Sequence, residues 1–122
     1  SGQIPTKTYV FTVKCEAMPD EFADALQKDE RIYYDNDGFV NGKVVGVKEV
    51  PAKLMVETDD GRVVETESPT LKDVTVDIEV ADKLNDPDIK VGRYSVAVGG
   101  KFTVKTIYAM GSEGIVMDIQ EK

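Results

Sequence analysis

The residue types that carry most enzymatic chemistry are scarce in this chain. There is no histidine and no tryptophan, and Cys15 is the single cysteine. A serine–histidine or cysteine–histidine nucleophile, and a zinc site built on imidazoles or paired thiolates, therefore have no residues to use. The serines are Ser1, Ser68, Ser95 and Ser112. The run Gly111-Ser112-Glu113-Gly114 has neither the spacing of a nucleophile elbow nor a base, so it reads as a loop. Gly92, Gly99 and Gly100 do not precede a helix whose N-terminus could receive a phosphate.

What remains is carboxylates, and Asp35-Asn36-Asp37-Gly38 is the sharpest cluster, because hard cations take several oxygens from a tight acidic turn. Spacing argues against a calcium loop. With its glycine at Gly38, an EF-hand would need an oxygen donor at Tyr33 and a closing acid at Val44. The cluster reads first as a plain turn, with a weak cation site at Asp35 and Asp37 as the alternative. Asp59-Asp60 and Asp86 with Asp88 are similar turns. A pair of acids for glycoside hydrolysis stays open, since spatial separation is not readable from sequence, although a domain this small rarely builds a deep sugar cleft. No residue is assigned as catalytic, cofactor-binding or metal-ligating, and no cofactor is implied.

Composition bounds the class. With 122 residues, 41% of them hydrophobic and 31% charged, the chain is long enough for one core and too short for two. Residues 3–122 are expected to form a single domain, with Ser1 and Gly2 read as a cloning remnant. No stretch approaches the roughly 20 apolar residues of a membrane span, so the chain as given is expected to be soluble. The net charge of −8 repels phosphate backbones and argues against nucleic acid as a partner. Lys7, Lys14, Lys43, Lys48, Lys53, Lys72, Lys101 and Lys105 are scattered singly and alternate with apolar neighbours, as on the wet faces and edges of strands. Cys15 falls at an alternating apolar position and reads as a small core hydrophobe.

The elements follow from periodicity. Tyr9, Phe11, Val13 and Cys15 fall two apart, which predicts a strand over residues 8–16. Pro19 suits a first helical position, Asp20 and Glu21 suit the positive end of a helix dipole, and Phe22 and Leu26 lie one turn apart, which predicts one short helix over about residues 19–28. Such a helix is too short to stand alone and must pack on the mouth or open face of a curled sheet. Ile32 to Tyr34 is a short extended piece ended by the Asp35 turn, and Asn41-Gly42 predicts a second break. Pro51 interrupts the valine-rich run from Val44 to Val56 and marks a bulge, an edge or a corner. Asp60-Gly61 between Met55-Val56 and Val63-Val64 is the strongest hairpin signal.

Ser68-Pro69-Thr70 reads as a connection, and Val74, Val76, Ile78 and Val80 as the cleanest strand. Asn85 to Asp88 reads as a loop. Tyr94, Val96 and Val98 lead through Gly99-Gly100 to Phe102 and Val104, another predicted hairpin. Gly111 and Gly114 bracket a last turn before a terminal strand through Ile115, Met117 and Ile119. The whole is mostly β, an antiparallel barrel or sandwich of about eight short strands with one short helix.

This order of parts resembles a bacterial family, domain of unknown function four-three-three-zero. The resemblance runs from the Tyr9 strand to the Ile119 strand. It is carried by Met18-Pro19-Asp20-Glu21-Phe22-Ala23-Asp24-Ala25-Leu26, by Asn41-Gly42-Lys43-Val44, by Asp60-Gly61-Arg62, by Lys72-Asp73-Val74-Thr75-Val76, by Val91-Gly92 and by Gly114-Ile115-Val116. The family's usual glycine after the helix is absent at Lys28-Asp29-Glu30-Arg31. The resemblance implies an N-terminal transmembrane anchor and a β domain on the outer side of the cytoplasmic membrane; it implies no activity. The leading expectation is a non-catalytic, cell-envelope binding or scaffolding module whose partner is an envelope protein or glycan. The alternatives are a small carboxylate-dependent hydrolase and a structural domain that forms a homo-oligomer through its edge strands.

Overall fold

The structure, a computed structural model, describes residues 6–83 and 89–122. The remnant expected at Ser1 and Gly2 and the loop expected at Asn85 to Asp88 lie outside the described residues. Eight strands and one helix follow one another as β1 (Thr6–Pro19), α1 (Phe22–Lys28), β2 (Arg31–Tyr34), β3 (Gly38–Glu57), β4 (Val63–Lys83), β5 (Ile89–Val91), β6 (Tyr94–Val96), β7 (Lys101–Lys105) and β8 (Met110–Glu121). The larger sheet has the order β2-β3-β4-β1-β8-β7, with antiparallel pairing throughout. It curls until its two edges, β2 and β7, come into contact, giving a nearly closed barrel-like sheet. The strands are not all short: β3 and β4 have 20 and 21 residues.

Alternation explains the core. Phe11, Val13 and Cys15 on β1 face inward with Val74, Val76, Ile78 and Val80 on β4, all essentially inaccessible to solvent. Val44, Phe102, Val104 and Val116 complete the ring, and Phe11 meets Phe102 edge to face, with ring centroids 5.0 Å apart. β8 crosses closest to the interior at Gly114, where a Cβ would stand 2.5 Å from Val13 Cγ1 and 2.6 Å from the Phe102 carbonyl oxygen.

Each end of the barrel is plugged. α1 links the end of β1 to the start of β2 and buries Phe22, Ala23 and Leu26. At the opposite end the β5–β6 hairpin buries Val91 and Val96. Asn41 fastens that hairpin: its side-chain amide donates to the carbonyls of Ala81 and Lys90, both at 2.9 Å, and accepts from the Gly92 N–H at 2.7 Å.

Several expectations are corrected. The helix begins at Phe22, because Pro19 is still extended and pairs with Leu71. β1 outruns its expected end through a bulge in which Ala17 adopts φ 54° and its N–H bonds the Asp73 carboxylate at 2.9 Å. Asn41-Gly42 is no break: Gly42 pairs with Val80 inside β3, with Val91 and Ile32 packed where its side chain would be. Ser68-Pro69-Thr70 is a bulge within β4, where the buried Ser68 hydroxyl accepts the Leu71 N–H at 2.9 Å. β6 pairs with β5 rather than β7, and β7 pairs with β8 through the turn at Thr106 to Ala109. The run Gly111 to Gly114 is therefore strand, not loop.

Candidate functional site

Beyond Leu71, where β1 stops pairing, β3 and β4 continue together as a two-stranded arm. Lys53↔Glu67, Leu54↔Thr66, Met55↔Glu65, Val56↔Val64 and Glu57↔Val63 are its rungs, which carry it about 20 Å past the barrel. Pro51 marks its root. Its missing N–H would point away from β4, and the register shifts between Pro51 and Lys53, so it serves as both edge and corner. The tip is a three-residue loop: the Thr58 N–H bonds the Arg62 carbonyl at 2.7 Å, the Gly61 N–H bonds the Thr58 carbonyl at 2.9 Å, and Gly61 takes φ 82°. Asp60 accepts from the Thr58 hydroxyl and from Arg62 Nε (2.8 Å), and these bonds, the Thr58 one foremost, hold its carboxyl below the usual carboxylate range.

Residues on adjacent rungs face opposite ways, and paired residues face the same way, so the arm has two unlike faces. One face carries Lys53, Met55, Glu57, Val63, Glu65 and Glu67. The other carries Leu54, Val56, Val64 and Thr66, uncharged along these rungs, with Arg62 following on the same side at the tip, where it is paired to Asp60. Leu54, Val56 and Val64 are 37%, 42% and 40% exposed. An apolar face on an isolated two-stranded ribbon is costly to leave in water, because such a ribbon is marginal by itself. Leu54, Val56 and Val64 form one apolar strip along the ribbon.

The second feature lies at the barrel seam. The Tyr34 hydroxyl donates to the Thr103 carbonyl at 3.2 Å, joining β2 to β7 without a backbone ladder. Lys105 adds an ion pair to Asp35 at 3.2 Å and lies 5.1 Å from the centre of the Tyr33 ring. Beside this seam a cleft of about 280 Å³ opens between Tyr34, Tyr94, Ser95, Lys101, Phe102 and Thr103. Tyr34 and Tyr94 meet edge to face at 5.1 Å. Burial, and then the neighbouring Tyr94, push the Tyr34 phenol well above its ordinary range.

The acids singled out from sequence are scattered. Asp35 is taken up by Lys105, and Asp37 by a two-point contact with Arg93, so the Asp35–Asp37 turn directs its carboxylates at side-chain cations. Asp60 holds the arm tip, and Asp86 and Asp88 lie outside the described residues. Glu16 and Glu113 flank a surface groove on the outside of β1 and β8, each ion-paired to a lysine, Lys14 at 3.9 Å and Lys101 at 3.5 Å. Among the described residues no three acids or thiols are grouped as metal ligands. Cys15 is buried in the core, and desolvation pushes its thiol up to about 11.

A family model described as "Domain of unknown function (DUF4330)" matches residues 1–120. The chain belongs to that family. No curated protein and no solved structure matches it. In this DUF4330 domain no helix among the described residues is long and apolar enough to cross a membrane.

Sequence reasoning located the DUF4330 arm's turn but not the arm. Met55-Val56 and Val63-Val64 carry the apolar signal of an ordinary core hairpin, and only the early end of β1 leaves them uncovered. The available clue was length: β3 and β4 continue well past the bulges at Pro51 and Ser68, farther than a barrel this narrow can use.

Proposed function

We infer that the chain is a non-catalytic binding or scaffolding module of the cell envelope, and that the β3–β4 arm is its docking element. The observation that carries this reading is the apolar strip of Leu54, Val56 and Val64 beside Thr66, exposed on a ribbon that no other element among the described residues covers. A protein surface is the fitting partner. The face offers no aromatic ring to stack on a sugar and no fan of polar groups to read hydroxyls. Topology adds support, because Thr6 and Lys122 lie at the barrel end remote from the arm. With a membrane anchor preceding β1, the arm would reach outward into the envelope.

The full-length gene product is expected to fractionate with the membrane. Val56→Lys together with Val64→Lys is expected to leave the melting temperature within a few degrees while abolishing association with the envelope partner. Recovery in the cytosol, or undiminished association of the doubly changed protein, overturns the reading.

A further inference from the structure

The arm has an edge as well as a face. β2, which pairs the outer edge of β3, reaches only from Gly38 to Lys43, so among the described residues nothing pairs that edge along the arm. The parity of the ladder is fixed at the tip. The Thr58 N–H points at β4, to the Arg62 carbonyl, and successive residues of an antiparallel strand alternate in direction. Lys53, Met55 and Glu57 therefore present both N–H and C=O outward, while Leu54 and Val56 bond inward to β4. Pro51, the next outward position, has no N–H to leave unmet.

We propose that this edge is completed by a second copy of the same chain, β3 against β3, antiparallel about a two-fold axis at Met55. The sequence is self-complementary in that register alone among its neighbours. Met55 faces Met55, and each Lys53 faces the other copy's Glu57. Each Leu54 faces the other copy's Val56. Shifting by one residue sets Lys53 against Val56 and Ala52 against Glu57. The outward backbone groups are the ones this register needs: Met55 bonds Met55 twice, and each Lys53–Glu57 pair exchanges two more bonds.

The charges fit as well. Among the described residues Lys53 and Glu57 have no ion pair, unlike Arg62 beside them, which is bound to Asp60 at 2.8 Å. Opposite charges directly across a rung stabilise the pair, and like charges there oppose it. Leu54 and Val56 of the two copies meet on the apolar side, so two bare ribbons become one four-stranded sheet with a doubled apolar face. This rests on the arm being a docking element and gives that element its platform. Strand addition of this kind draws its affinity from main-chain bonds and its specificity from the alternating side chains, and the two-fold makes the contact isologous and closed. The contact is small, well under the ~1,200 Å² of stable complexes, so the dimer is weak and reversible.

The test is sedimentation equilibrium of this chain up to about millimolar concentration, where a weak contact of this size is populated. The wild type is expected to follow a monomer–dimer equilibrium. Lys53→Glu sets glutamate against glutamate on both outer rungs, and Glu57→Lys sets lysine against lysine; each is expected to weaken the dimer at least tenfold. An equimolar mixture of the two variants restores both opposite pairs and is expected to recover the wild-type constant as a heterodimer, which also shows that both variants are folded. Met55→Pro, which removes an outward N–H and no bond to β4, is expected to abolish association while the circular dichroism spectrum is kept. A monomer at all concentrations, or single variants that associate as the wild type does, overturns the proposal. Loss of the envelope partner in a Val64→Lys variant alone would stand apart from either result, because Val64 lies on β4, away from the β3 edge, and leaves unchanged the Val56 that faces Leu54 of the other copy.

Discussion

The hydroxyl of Tyr34, on one edge strand of the curled sheet, lies 3.2 Å from the carbonyl oxygen of Thr103 on the other. Among the described residues no backbone ladder joins β2 to β7, so this bond and the Lys105–Asp35 ion pair beside it are polar links across a seam whose two sides share one hydrophobic core. Tyr34→Phe keeps the ring against Tyr94 and deletes only the donor. The expected cost is about 1 kcal/mol in denaturant unfolding, with faster amide exchange concentrated in β7. Unchanged stability and unchanged β7 protection would remove the bond's role as a clasp.

Asn41 does the corresponding work at the end plugged by β5 and β6. Replacing it by Ala removes the acceptor of the Gly92 N–H and the donor to the carbonyls of Ala81 and Lys90, and hands these exposed groups to water. A loss of about 1–3 kcal/mol is expected, with exchange of the Gly92 amide accelerated far more than that of the β1–β4 ladder. Equal acceleration in both places would mean that the hairpin is not separately fastened.

Gly114 has no room for a side chain between Val13 and the Phe102 carbonyl. Gly114→Ala must push β8 away from the core, and about 1–3 kcal/mol of destabilisation is expected by chemical denaturation. Gly61→Ala at the arm tip meets no neighbour but must hold φ 82°, so it is expected to cost about 1 kcal/mol through the backbone alone.

Stability should fall at both extremes of pH, for different groups. The Cys15 thiol is raised to about 11 by burial, so the fold disfavours its thiolate; its contribution is intact below about pH 9 and is lost as pH rises toward 11. The side chain of Arg31, and then its backbone N–H, hold the Asp29 carboxyl down to about 2, so that contribution is present above about pH 4 and is lost as pH falls toward 2. Cys15→Ala is expected to flatten the alkaline limb relative to the wild type, and native protein at pH 8 is expected to resist alkylation by iodoacetamide until it is unfolded. Rapid alkylation of the native state would contradict the burial.

Much of this fold was legible because period-two alternation is a direct imprint of one buried face. Val74 to Val80 and Phe11 to Cys15 sit where that rule puts them, and Asp60-Gly61 turns where its chemistry asks. The failures share another cause. Asn41-Gly42, Gly111 and Gly114 carry turn-forming residues, yet they lie in strands: Asn41 is needed for a tertiary hydrogen-bond bracket, and the glycines for close packing against Ile32, Phe22 and Val13. Pro19 suits a helix start and an extended strand equally well, and only pairing with Leu71 decides between them. The exposure of the arm was invisible because whether Val56 is covered depends on where β1 ends, not on anything near Val56.

The claim on which the functional reading turns is that the apolar strip of the arm is occupied in the cell. A photo-crosslinking amino acid placed at Val56 or Val64 of the full-length protein, with Lys43 on the barrel wall as the control position, tests it most directly. Discrete adducts with an envelope protein from the two arm positions and none from Lys43 are the expected result. No adduct from Val56 or Val64, or the same adducts from all three positions, would contradict it.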